Sequence, residues 1–415
     1  MRKWIFIIIG SLFGLLLCFL AIPFILNPFV KDAVPQDDSD IRPLTLNIPD
    51  ADNAYFDLQK AAAVYATDTN VKDKNIELQL SKNAEALKLF ANASTKKYYQ
   101  PPAYAQPETI NFNTELPHLN VLRNIAILRK EEAVRALEHG NGSEALNISL
   151  QSIKVGKMMQ ESQAAPMITL AGVAVANIGH EATQQILADE RAATYGLSTV
   201  ALHPEKYEPD AKKRDLTFRA EYQEIATMLD AHDYFGSTGL IAKASHFIFW
   251  YKPVETHNMI VDLGRYWITG SQNCKNIDRR ADEPVPHQTE VAKKIPTQEW
   301  LFYPQLYLTP NALGNLVYSY GAVGPGIQIK QCQSTLQARN LAIAFALHAY
   351  KETNGNFPTS LDQLVPKYIE SIPVDPFTEQ APKYSVKDRT IYSETYESGK
   401  EKITPLNLPT RIYHF

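Results

Sequence analysis

The histidines that stand beside acidic residues are the first candidates for metal binding or acid–base chemistry. His180 and Glu181 begin a string of the type His-Glu-x-x-His, but position 184 is Gln, so the second zinc ligand is missing. We expect His180 to be a packed core histidine, because its predicted helix is rich in small residues. The string DAHD at 230–233 ends another predicted helix, where a histidine suits the helix dipole, and no metal site is predicted there.

The glycine-rich strings and the Asp-Pro turn also lack the spacing of known catalytic motifs. GSTG at 236–239 does not have the Gly-x-Ser-x-Gly order of a nucleophile elbow. GAVGPG at 321–326 lacks the lysine and serine of a P-loop, and we predict a flexible turn. Asp375 is expected to accept backbone N–H bonds within its own turn, and Asp362 to be a solvated helix residue. The sequence therefore predicts no catalytic, cofactor-binding or metal-binding residue.

The chain has three cysteines, of which Cys18 lies in the apolar N-terminal segment. Cys274 and Cys332 could form a disulfide that closes a loop of roughly 58 residues, a constraint of about 3–4 kcal/mol in the chain-entropy model. Such a bond would suit an oxidising compartment. The alternative is two separate buried thiols.

The N-terminus predicts a membrane anchor. Arg2 and Lys3 precede an uncharged run from Trp4 to Val30. At 1.5 Å per residue, about 23 apolar residues span roughly 35 Å, enough for the ~30 Å hydrocarbon core of a bilayer. The two basic residues favour a cytoplasmic N-terminus with the rest of the chain outside. A cleaved signal peptide and a buried soluble helix are the alternatives.

The amino-acid composition limits the classes of function that remain possible. The chain has 415 residues, of which 45% are hydrophobic, so a sizeable core is expected. Its formal net charge is −4, and it contains no basic block of the kind that contacts phosphates. We therefore predict no nucleic-acid partner and no cofactor.

The elements that would position these residues are mainly helical. We predict a transmembrane anchor at 1–30, a linker at 31–50 and a helical domain at 51–235. Two helices, one within 116–141 that ends at Gly140 and one within 142–162 that restarts at Ser143, form an antiparallel hairpin. Ala136, Gly140 and Ala145 are similar to a tetratricopeptide hairpin. A plain helical hairpin is the alternative. A third helix, from Pro166, has small residues that permit close helix–helix approach.

The second half is divided into an irregular mixed region at 236–333 and a small α+β tail at 334–415. Within the former, 273–297 is predicted to be an exposed loop. The tail begins with a helix that ends at Gly355 and continues with a short helix over 360–369. Two strands are predicted at 383–386 and 390–393.

The tail resembles the globular part of the major pseudopilin of type II secretion systems. The resemblance is carried by YKETNGNFPTSLDQLVPKYIESIPVDPF, from Tyr350 to Phe377, and by the KYS and IYS strings that follow. It covers about 60–80 residues and implies an α+β module used for assembly. The same tail is also similar to that of uncharacterised membrane-anchored bacterial proteins with a helical region before it.

Three features differ from the pseudopilin pattern. The residues after Gly10 lack the glutamate that prepilin peptidase substrates carry, and some 300 residues separate the predicted anchor from the tail. Glu394 and Glu397 stand where pseudopilins have an aspartate-rich calcium loop, and two carboxylates fall short of the six to eight oxygens that calcium takes.

These observations together predict a single-pass inner-membrane protein with a mainly α-helical exported region. We expect a non-enzymatic interaction or scaffold protein, in contact with the lipid bilayer through its N-terminal helix and with unknown protein partners. One alternative is an envelope hydrolase in which His232, His246 or His257 meets carboxylates. The other is a divergent component of a type II secretion or pilus machine.

Overall fold

The computed structural model describes residues 31–66, 76–111, 114, 118–189, 206–230, 251–275, 324–392 and 412–414, with isolated positions 10, 11, 14, 277, 286, 287, 311, 314, 315 and 318. These parts are mainly helical and include one small antiparallel sheet. The helices are α1 (Ala54–Val64), α2 (Ile76–Lys82), α3 (Ala84–Ala93), α4 (Leu119–Glu138), α5 (Gly142–Gln160), α6 (Pro166–Leu187), α7 (Leu216–Asp230), α8 (Pro253–Ser271) and α9 (Gly324–Asn354). The strands are β1 (Lys383–Ser385), β2 (Thr390–Tyr392) and β3 (Ile412–His414).

Helices α4, α5 and α6 form the centre of the described structure. Gly140, with a φ of 83°, ends the first helix in the left-handed conformation that glycine adopts readily, as the hairpin prediction required. Helices α5 and α6 then approach so closely that a Cβ added to Gly156 would lie 2.4 Å from the carbonyl oxygen of Gly172. The antiparallel hairpin and the close approach of α6 are therefore confirmed.

The predicted tail shares a hydrophobic core with this hairpin. Residues 341–349 of α9 pack with Ile148 and Ile153 of α5, and also with Leu364 and Ile391 of the tail. Strand β2 pairs antiparallel with both β1 and β3, in the order β1-β2-β3, with Ser385 opposite Thr390. The two predicted strands are confirmed to within a residue.

Two predicted elements of the second half were wrong in detail. In place of a helix over 360–369, the chain makes only a 3-10 turn at Leu361–Leu364. Pro366 explains the difference, because it lacks an N–H donor and disfavours helical geometry in the residue before it. Residues 324–326, predicted to form a flexible turn, instead begin α9, with Pro325 in the first turn, where proline is well tolerated.

The region at 236–333, predicted to be irregular, is mostly helical where the structure describes it. Helix α8 begins at Pro253, and Ile260, Leu263 and Trp267 lie on its buried side at helical spacing. Helix α9 starts within the same region and crosses the boundary predicted at 333/334. Within the predicted exposed loop at 273–297, Cys274 and Ile277 are buried. Trp267, an aromatic residue of this region that the structure describes, therefore belongs to a helix face.

The polar segment at 31–50, predicted to be a linker, lies against α7 and α8, and we call its residues 32–46 the strap. Asp32 accepts hydrogen bonds from two backbone N–H groups in the first turn of α8, at 2.9 and 3.0 Å. Asn258 bonds the backbone of the strap at both Val34 and Gln36. Ile41 is only 1% exposed. The acidic residues that suggested a solvated linker are therefore partners of the helices.

The predicted anchor at 1–30 lies outside the described residues, apart from positions 10, 11 and 14. Among the helices that the structure describes, none is both long and apolar enough to cross a bilayer.

Candidate functional site

Helix α7 carries the most unusual polar groups of the described chain, and it lies between the strap, α6 and α8. Its apolar stripe, which includes Phe218, Tyr222 and Leu229, packs in a core with Trp267 of α8. This packing draws neighbouring charged residues of α7 away from water. Three groups result: an acidic pair, a strap contact and a buried arginine beside a disulfide.

The acidic pair consists of Glu221 and Glu224, which are three residues apart on α7 and therefore on the same side of the helix. The Tyr104 hydroxyl donates a hydrogen bond of 2.5 Å to Glu224 Oε1. Glu221 is partly exposed as a residue, but its Oε2 atom is buried and has no hydrogen-bond partner. This oxygen is poorly suited to carry a negative charge.

Burial explains how the acidic pair titrates. It raises the pKa of Glu221 to about 8, and the nearby charge of Glu224 contributes to the rise. Burial also raises the pKa of Glu224 to about 7, although the hydrogen bond from Tyr104 lowers it in part. The pair can therefore hold a proton near neutral pH, which is the property of a proton store or a general acid.

The strap contact joins Asp38 to Tyr222 of α7 and His257 of α8. Tyr222 donates a short hydrogen bond to Asp38, and Arg42 lies 2.7 Å from the same carboxylate. His257 Nε2 lies 3.3 Å from the Tyr222 hydroxyl and 4.0 Å from Asp38. Partial burial pushes the pKa of Asp38 up, but the hydrogen bonds from Arg42 and Tyr222 outweigh this and lower it. Asp38 therefore holds the strap as a carboxylate.

The buried arginine is Arg214, just before α7. It donates hydrogen bonds to Cys274 Sγ at 3.1 Å and to Thr335 Oγ1 at 2.7 Å. Cys274 and Cys332 form a disulfide, which connects the end of α8 to α9. Phe377 of the tail packs against the same sulfurs. A charged group, a disulfide and the tail thus meet at one place.

The residues that the sequence singled out behave mostly as structural groups. His180 is 2% exposed, and burial lowers its pKa to about 3, so it is neutral in the core as predicted. Asp375 Oδ1 accepts a 2.7 Å bond from the backbone N–H of Phe377, which confirms its predicted role. Asp362 is exposed, also as predicted.

Other predicted positions are not brought together. His257 contacts the strap, whereas His232 and His246 lie outside the described residues, as do Glu394, Glu397 and the string at 236–239. Among the described residues, no group of three or more His, Cys, Asp or Glu is arranged to hold a metal ion.

Sequence reasoning missed Glu221, Glu224 and Arg214. A usable signal existed for Glu221, which is three residues after Phe218 and four before Ile225, and so lies within the apolar stripe of α7. A carboxylate in an apolar stripe is a candidate for an altered pKa. Arg214 had no such signal, because its partners are far away in sequence.

Neither a scan against models of protein families nor searches of the curated proteins and of the solved structures found a match. The resemblance of the tail to a pseudopilin therefore stays a prediction.

Proposed function

We propose that this chain is a single-pass membrane-anchored protein whose folded part lies outside the cytoplasm and contacts protein partners without catalysing a reaction. The N-terminal segment from Trp4 to Val30 would be the anchor, with Arg2 and Lys3 on the cytoplasmic side. The pseudopilin-like tail would contribute to assembly, as in the family that it resembles.

The strap is the observation that carries this proposal. It begins two residues after the apolar segment, where Asp32 binds the first turn of α8. Further along, Arg265 holds Asp40 through two hydrogen bonds of 2.8 and 2.9 Å. A chain held at this point cannot swing freely on a flexible tether. The first turn of α8 would therefore lie close to the lipid headgroups, with the folded part held against the membrane.

The disulfide supports the exported location. Cys274 and Cys332 are joined in the structure, and disulfides persist mainly in oxidising compartments. Both cysteines lie beyond the predicted anchor, on the side that the positive-inside rule places outside.

Membrane fractionation tests the anchor. The full chain should stay in the membrane pellet after an alkaline wash, and a variant lacking residues 2–30 should appear in the supernatant. Protease added to spheroplasts should digest the folded part of the full chain. Release of the intact chain by the wash, without detergent, would contradict the proposal.

Crosslinking tests the interaction. The tagged full chain, crosslinked in membranes, should recover the same protein in independent preparations. The matched control is residues 1–30 fused to an unrelated soluble domain, which reports capture through lipid alone. If both chains recover the same set of proteins, the interaction half of the proposal fails.

A further inference from the structure

The disulfide lies beneath a turn of the tail, in contact with solvent only at its edge. Cys274 is 5% exposed and Cys332 is 1% exposed, and Phe377 covers them together with Leu336. The covering turn, residues 375–379, is held by an ion pair between Lys275 and Glu379, both of which are exposed. Exposed ion pairs contribute at most about 1 kcal/mol. The cover is therefore attached on its outer side by a weak contact.

Arg214 lies on the inner side of the disulfide as a buried cation. It is 5% exposed, and its Nε atom is buried without a hydrogen-bond partner. No ion pair joins it to a described carboxylate. Glu208, the carboxylate with the largest electrostatic effect on it, pairs with Arg339 at 3.0 Å instead. A guanidinium in this state pays a desolvation cost that a nearby anion would offset.

Reduction of the disulfide would supply that anion. The guanidinium already points an N–H group at Cys274 Sγ, 3.1 Å away. A cation beside a cysteine favours the thiolate over the thiol, whose ordinary pKa is about 8.5. Among the described residues, no cationic side chain donates a hydrogen bond to Cys332. Once reduction has separated them, the two sulfurs therefore differ in how readily they carry a negative charge, and Cys274 does so more readily.

We propose that Cys274 and Cys332 form a reversible redox site that a dithiol reduces, with Cys274 released as a thiolate paired to Arg214. One thiolate of the dithiol attacks Cys332 Sγ, the bond between the two cysteines breaks, and Cys274 takes the electron pair. The second thiol of the dithiol then attacks the mixed disulfide and releases Cys332, which takes up a proton. In total, two electrons pass from the dithiol to the protein, the dithiol becomes a disulfide, and one proton is released to solvent.

This inference is independent of the membrane anchor and of any protein partner, because it concerns only Arg214, the two cysteines and the turn that covers them. Failure of the fractionation or crosslinking experiments would leave it standing. Its own failure would leave the anchor standing.

The test is a redox equilibration of the purified full chain carrying Cys18→Ala, which leaves the two cysteines as the only thiols. Mixtures of reduced and oxidised dithiothreitol set the equilibrium, and mass-tagged alkylation measures the reduced fraction between pH 6 and 9. We expect the logarithm of the equilibrium constant to rise by about one per pH unit below pH 8.5, because reduction releases a proton there. In Arg214→Met the rise should begin only near pH 8.5, so reduction at pH 8 should be about a hundredfold less favourable than in wild type.

Two further variants separate charge from packing. Arg214→Lys keeps the charge and should keep the pH dependence, so it decides the question even if Arg214→Met does not fold. Arg129→Met removes another buried arginine, which pairs with Glu132 far from the cysteines, and should leave the redox equilibrium unchanged. The proposal is overturned if the wild-type constant does not change between pH 7 and 8, if Arg214→Met matches wild type, or if dithiothreitol reduces the bond only when the protein unfolds.

Discussion

At the scale of single residues, Gln163 connects three segments that are distant in sequence. Its carboxamide donates hydrogen bonds to the carbonyl oxygens of Leu44 and Tyr104, both at 2.8 Å, and accepts one from the N–H of Leu44 at 2.7 Å. The side chain of Gln100 in turn bonds both the N–H and the carbonyl of Gln163. Gln163, Gln100 and Tyr104 are buried, so their mutual hydrogen bonds cannot be replaced by bonds to water.

We therefore expect Gln163→Ala to lower the free energy of unfolding by about 2–4 kcal/mol. The change removes three hydrogen bonds and leaves the buried carbonyl oxygen of Tyr104 without this partner. Denaturant unfolding of the purified chain, followed by circular dichroism, measures the effect. Gln59→Ala is the matched control, since Gln59 is only half-buried and donates to the Tyr55 hydroxyl alone. Equal losses in the two variants would contradict the assigned role.

Residue-scale prediction from sequence succeeded where the cause is local. The bond from Phe377 to Asp375 spans two residues, and His180 sits in a visibly apolar helix. It failed for Gln163, which looks like an ordinary loop glutamine until the strap and Tyr104 are placed around it. Likewise, the partner of Glu224 is more than a hundred positions away in the sequence, and Cys274, the partner of Arg214, is about sixty positions away. Side chains whose environment is assembled from distant segments cannot be assigned by spacing alone.

At the scale of elements, the contact between α5 and α6 depends on two glycines that face each other. A Cβ on Gly156 would lie 2.4 Å from Gly172 O and 2.5 Å from the backbone N of Ala176. A Cβ on Gly172 would lie 2.7 Å from Gly156 O. These neighbours are backbone atoms, which cannot move unless a whole helix moves.

Gly156→Ala and Gly172→Ala should therefore each destabilise the protein by about 1–3 kcal/mol, because overpacking separates the two helices. This loss outweighs the gain of about 0.5–1 kcal/mol that alanine normally brings to a helix. Gly326→Ala is the control, because it lies in α9 with no atom within 4 Å of the added Cβ, and it should be neutral or stabilising. Thermal unfolding compares all three. A stabilised Gly156→Ala would show that the helices are not packed this closely.

Secondary structure was predicted well for helices with a clear hydrophobic period. It was predicted poorly where a proline or a cluster of charged residues suggested a turn or a linker. The hairpin and two strands follow from glycine stops and alternation. Helix α9 begins ten residues before the predicted tail, because proline in a first turn reads as a break. The strap was misassigned because its polar residues resemble those of a solvated linker. Their partners are distant in sequence: the first turn of α8 for Asp32, Tyr222 for Asp38 and Arg265 for Asp40.

At the scale of the whole molecule, two buried histidines and the acidic pair change the stability of the protein with pH in opposite directions. Burial lowers the pKa of His180 to about 3 and, with Lys351 and Arg389, that of His348 to about 4. These histidines bind fewer protons in the folded than in the unfolded chain, so their contribution to stability is present above pH 6.5 and is lost as the pH falls. The acidic pair has raised pKa values, so its contribution is present below pH 4.5 and is lost as the pH rises through about 7 and 8.

Between about pH 4.5 and 6.5 the two histidines and the two glutamates change stability in opposite directions, and we expect a plateau. Below pH 4.5 the glutamates no longer offset the histidines, so the stability of the protein falls with the pH. The lowered pKa of Asp38 adds to this loss of stability. Above pH 6.5 only the acidic pair is still titrating, so stability should fall until about pH 8 and then level off. Unfolding temperatures of the purified chain, measured from pH 3.5 to 9, should therefore trace a flat top with a decline on each side.

The double variant Glu221→Gln with Glu224→Gln tests whether the acidic pair causes the alkaline decline. Neutral amides cannot titrate, so the alkaline decline should disappear, and stability should rise up to pH 6.5 as the histidines lose protons and then stay level. Glu85→Gln, an exposed position on α3, should keep the wild-type profile. We assign the alkaline decline in stability to α7, because burial there disfavours the charged carboxylates. If the unfolding temperature of the double variant still declined between pH 6.5 and 8, the burial of the acidic pair would be refuted.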